Sequence, residues 1–77
     1  MNISIRKTRV ATDLIVEGEL VDYLLFPIFA EQVNYCKTQA ELLDADAAKS
    51  KRRAKSKENF LRNANYWQSA IDIGLEH

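Results

Sequence analysis

Between Lys49 and Lys57 the chain reads KSKRRAKSK, placing six cations in nine residues: Lys49, Lys51, Arg52, Arg53, Lys55 and Lys57. Side chains of this kind neutralise phosphates and release counterions, which gives sequence-independent affinity that falls steeply with salt. Arg52 and Arg53 can add bidentate phosphate contacts. The competing reading is a solvated basic helix segment that binds nothing in particular. A formal net charge of zero and the lack of any recognised DNA-binding motif weigh on that side.

Other chemistry is scarce. Glu17, Glu19, Asp22, Glu31, Glu41, Asp44 and Asp46 form an acidic body, but paired carboxylates do acid–base work only when a fold holds them around a cleft. A divalent site at Glu41, Asp44 and Asp46 lacks the loop pattern of a calcium site. Cys36 is the one cysteine, so no internal disulfide and no zinc cluster are expected. His77 is the one histidine, and it sits in Leu75-Glu76-His77, which reads as the start of a Leu-Glu-polyhistidine tag. Without a native histidine, a cysteine or serine nucleophile lacks its commonest base, and two glycines cannot build a glycine-rich phosphate loop. The expectation is a protein that is not an enzyme, with no cofactor and no metal.

The elements that position these residues follow from periodicity. Ile3 and Ile5 share one face of an extended segment, and Leu14 and Val16 share a face of another. A short β-hairpin over about 2–20 is expected, reversing at Ala11-Thr12-Asp13 and ending near Gly18. From Val21 to Ile73 there is no glycine and one proline, Pro27, which suits a helical first turn. Phe29, Val33, Cys36, Ala40, Leu43 and Ala47 then recur at spacings of four and three, and the same heptad count reaches Ala54 and Leu61. This is a coiled-coil-like packing seam. Phe60, Ala64, Trp67, Ala70 and Ile71 make a richer stripe, rotated about a quarter turn from that seam at ~100° per residue. The offset predicts two helices, about 22–54 and 57–73, with Ser56 capping the second. The alternative bend is Leu43-Asp44-Ala45-Asp46, which resembles the bend of Rop-like helical-hairpin RNA-binding dimers; four residues assign no family. Phe60 and Trp67 are core candidates, whereas Tyr35 and Tyr66 project away from the stripes.

The predicted architecture is mainly α: a short N-terminal β-hairpin followed by a long helical hairpin of two antiparallel helices, in one domain spanning 1–74. A chain of this length rarely draws more than ~3–5 kcal/mol of net stability from its own core. Completion by homodimerisation is therefore expected, with Trp67 joining the seam residues in the packing. No apolar run approaches the ~20 residues of a membrane span, and a cytoplasmic location with no membrane partner is expected. The functional expectation is a small helical interaction or regulatory protein that binds another macromolecule, its partners being itself and an unidentified protein. The alternative is a nucleic-acid-binding module that meets DNA or RNA through segment 49–57.

Overall fold

The computed structural model describes residues 1–26, 28–47 and 51–74, with backbone alone for 44–47 and 51. Pro27, Lys49 and the tag-like residues 75–77 lie outside the described residues. Five elements follow in order: strands β1 (Ile3–Lys7), β2 (Thr12–Val16) and β3 (Glu19–Leu24), then helices α1 (Phe29–Ala47) and α2 (Lys51–Asp72). The strands form one antiparallel sheet in the order β1-β2-β3. The architecture is thus α+β, and the mainly α expectation is corrected by the third strand and the sheet it completes.

The missing strand has a local cause. β2 and β3 are joined by Glu17-Gly18 alone, with φ of 55° and 79° at the two positions. Positive φ at both central residues is what a two-residue hairpin turn needs to match the twist of its strands. Glycine takes it freely, and Glu17 is held there by Asn2: its N–H donates to the Asn2 carbonyl at 2.8 Å and its carboxylate accepts from the Asn2 N–H at 3.0 Å. Glu-Gly is not a usual signature for such a turn, so Gly18 reads as an end of the sheet when it is the middle of a second hairpin. Residues 22–24, expected as the opening of a helix, are strand. The first reversal also moves: it lies at Thr8 to Ala11, closed by Thr8 N–H to the Ala11 carbonyl at 2.8 Å, so Thr12 and Asp13 belong to β2.

In register, Ile3 faces Val16 and Ile5 faces Leu14, so the two sequence-level stripes form one face. That face, with Phe29, Val33 and Cys36 of α1 and Ala64, Trp67 and Ala70 of α2, makes the core. Phe29, near the start of α1, packs on Trp67, near the end of α2, with ring centroids 5.6 Å apart and planes tilted by 54°. Lys37, Ala40 and Glu41 meet Lys57 and Leu61 at the other end. The helices are therefore antiparallel.

Their boundaries differ from expectation. α1 stops at Ala47 and α2 begins at Lys51, so Leu43-Asp44-Ala45-Asp46 is helix and no bend. Ser56 is no cap either: its hydroxyl donates to the Arg52 carbonyl at 3.1 Å, one turn back inside α2. α2 ends at Asp72, and Gly74, with a positive φ of 76° and an N–H bond to the Ile71 carbonyl, closes the last turn as a glycine C-cap does.

Candidate interaction surfaces

β3 decides what is inside and what is outside. A bulge between Leu14 and Ile15 adds one residue to β3 and sets the facing of the strand. Asp22, opposite Leu14, points into the core. Its Oδ2 accepts from the Trp67 indole N–H at 2.8 Å and from the Cys36 thiol at 3.4 Å, and its Oδ1 accepts from the Tyr23 N–H at 2.9 Å. A carboxylate that accepts several bonds is well satisfied in a semi-buried position. This one joins β3 to both helices.

Cys36 is fully buried, and burial together with the neighbouring Asp22 carboxylate pushes its thiol up to about 12. A nucleophilic cysteine needs the opposite, a lowered pKa and access. Cys36 therefore packs and donates a weak hydrogen bond; its environment is wrong for catalysis. Among the described residues no three histidine, cysteine or acidic side chains are placed to hold a metal ion, and no helix is long and apolar enough to cross a membrane.

On the opposite side the chain exposes apolar groups of which sequence reasoning singled out Tyr35 alone. Tyr23, Leu25, Phe26, Ile28 and Tyr35 are 46–68% exposed. Tyr23 to Phe26, with Glu31, Gln32 and Tyr35, line a groove of about 350 Å³ between the end of β3 and the first turns of α1. Gln32 forms its wall and is 1% exposed; its Nε2 donates to the Phe26 carbonyl at 2.5 Å, while its Oε1 has no partner. A buried acceptor left empty costs roughly 1–3 kcal/mol, so it marks a place where a donor is missing. The available signal was the run Tyr23-Leu24-Leu25-Phe26, whose apolar residues outnumber what one face of a short strand can bury.

The basic segment divides. Arg52, Arg53 and Lys55 are exposed, Lys57 is half-buried beside Lys37 and Glu41, the side chain of Lys51 is not described and Lys49 lies outside the described residues. At ~100° per residue Arg52 and Lys55 share the flank of α2 on which Asn63 meets Val21 of β3 further along, whereas Arg53 and Lys57 turn toward α1. Further along the same flank lie Asn59, Arg62, Asn63 and Tyr66, which with Val21 border a groove of about 300 Å³. Arg62 donates to Asn59 Oδ1 at 2.9 Å, and Asn63 Nδ2 donates to the Val21 carbonyl at 3.3 Å, covering part of the β3 edge.

Of the seam residues, Phe29, Val33, Cys36, Ala40 and Trp67 are buried, Leu43 and Ala54 are half-buried, and Leu61 is 43% exposed. Ala47 is helical, with its side chain outside the description. The apolar seam thus thins toward the far ends of the two helices, where the basic segment lies.

Comparisons with protein-family models, with curated proteins and with solved structures give no match to this chain.

Proposed function

We propose that this chain is a non-enzymatic interaction protein that forms a homodimer through the Tyr23–Tyr35 face and engages a further macromolecule in that form. The observation that carries the reading is the set of exposed apolar side chains Tyr23, Leu25, Phe26 and Tyr35 around one groove, with Ile28 exposed close by in the chain. Together these side chains present roughly 600 Å², close to the ~800 Å² per partner of a standard interface and large for a solvent-exposed apolar patch. A two-fold interface uses one patch twice, so each copy offers its own Phe26 and tyrosines to the groove of the other. Zero net charge removes the self-repulsion that would oppose such pairing.

Sedimentation equilibrium from micromolar to submillimolar chain tests the reading. A dimer is expected in the micromolar range, and Leu25→Ser with Phe26→Ser should return it to monomer with the helical circular dichroism unchanged. A monomer across the whole range overturns the dimer.

A further inference from the structure

We infer that the flank of α2 facing β3 binds single-stranded nucleic acid, with Arg52, Lys55 and Arg62 on successive phosphates and one base held in the groove of Asn59, Asn63 and Tyr66. This site shares no residue with the apolar groove and does not depend on the dimer.

The first argument is placement. Arg52, Lys55, Asn59, Arg62, Asn63 and Tyr66 fall within about a 100° sector of α2 and span about 20 Å along its axis at 1.5 Å per residue. Cations every three to seven residues along one flank follow a backbone, whereas the basic run taken by sequence alone points in several directions. Glu58 borders the sector on its solvent side and is the one acid of that helical stretch. It limits the affinity at low salt and leaves the line of cations intact.

The second argument is the groove. Its volume of about 300 Å³ suits a single planar base, and it brings together an aromatic ring, a guanidinium and two amides. Bases released from a helix are held by stacking on aromatic or guanidinium planes and by hydrogen bonds to their edges. The amides are already committed in complementary senses. Asn59 spends its carbonyl on Arg62 and keeps its N–H groups, while Asn63 spends an N–H on Val21 and keeps its carbonyl. One donor and one acceptor then line the same depression, a pairing that the edge of a base can match.

The third argument selects single strands. A helix that reads duplex DNA enters the major groove and must stand clear of its own fold. At its Asn63–Tyr66 end this flank meets Val21 of β3, with both side chains half-buried, and there it does not stand clear. A flexible strand can follow it.

The test is fluorescence anisotropy of the full chain with labelled single-stranded DNA and RNA 12-mers and the matching duplex, at salt from about 50 mM upward. Expected is micromolar binding of the single strands, at least about tenfold tighter than the duplex, with a log–log salt slope near −2 for about three phosphate contacts. Arg52→Gln with Lys55→Gln should flatten that slope by more than one. Asn59→Ala, at an exposed position, and Tyr66→Leu should each weaken binding roughly fivefold to tenfold with the slope unchanged. Asn59→Ala keeps the test decisive if the Tyr66 variant does not fold. No saturable binding at the lowest salt overturns the site, as do duplex binding equal to single-strand binding, a slope untouched by the double variant, or displacement of the strand by polyglutamate as efficiently as by unlabelled nucleic acid. The last result would make the flank a surface for an acidic protein.

Discussion

Asp22 and Tyr23 are neighbours in β3 and occupy opposite worlds. The carboxylate faces inward, bonded to Trp67 and Cys36, while the aromatic ring beside it is 58% exposed with Leu25 and Phe26 following. A solvated antiparallel strand ordinarily puts its apolar residues in and its polar ones out. β3 is inverted at this point, and each half of the inversion has its own cause. The inward carboxylate is satisfied by an indole and a thiol that only the helices can bring, so its burial is a bonded one. Among the described residues nothing covers the outward apolar side chains. The difference teaches that the inner face of β3 is finished by the fold, whereas its outer face is the one the proposed dimer would cover.

Four measurements break or sharpen that contrast. Trp67→Ala removes the largest fully buried side chain and the donor to Asp22 at once; a cost of about 3–5 kcal/mol is expected, enough to leave so small a domain largely unfolded by denaturant titration at 25 °C. Asp22→Ala strands the Trp67 indole N–H and should cost about 1–3 kcal/mol, read as a lower midpoint in urea with the same slope.

Smaller per pH unit is the effect of alkaline pH through Cys36. Its thiol is raised from 9.0 to about 12 in the folded state, so the unfolded chain loses this proton first. Stability from this group is complete below about pH 9 and declines between pH 9 and 12, by at most about 1.4 kcal/mol per pH unit. The difference in stability between the parent chain and Cys36→Ala should therefore shrink above pH 9, and the folded thiol should resist a disulfide reagent at pH 8 until the chain is unfolded. A thiol that reacts at the rate of a free cysteine would contradict the buried, carboxylate-flanked environment. Smallest is Tyr23→Ser, one residue from Asp22 on the open side. It should move the urea midpoint of the monomer by less than about 0.5 kcal/mol while weakening self-association by sedimentation. A large loss of monomer stability would show that the outer face is part of the fold after all.

Much of the helical packing was legible. Spacings of three and four from Phe29 to Ala40 mark residues that are buried in α1, and the stripe at Ala64, Trp67 and Ala70 marks the buried side of α2. These signals survive because a helix facing one core repeats its apolar positions at a fixed period, whatever it packs against. The sheet was half legible. The β1 and β2 stripes are plain, but β3 breaks the alternation twice, through the bulge at Leu14/Ile15 and through the inward Asp22. A strand whose core-facing residue is charged cannot be recognised by hydropathy, and a Glu-Gly turn does not announce itself. Of the candidate sites, the basic residues could be named from sequence, but their partition between two flanks of α2 could not, because it depends on where the core places the helix's inner side. The apolar groove escaped notice because its lining comes from the end of β3, the connection and α1 together.

What the sequence determined by itself is local: the periods of the helices, the two first strands and the clustering of cations. The tertiary structure decided which of those residues meet. Only packing brings Trp67 and Cys36 onto Asp22, turns Lys57 toward Glu41 and away from Arg52, and leaves Phe26 uncovered. Propensity and period act over one turn or one strand, whereas the choice of inside and outside for a short inverted strand is made by partners 14 and 45 residues away in the chain.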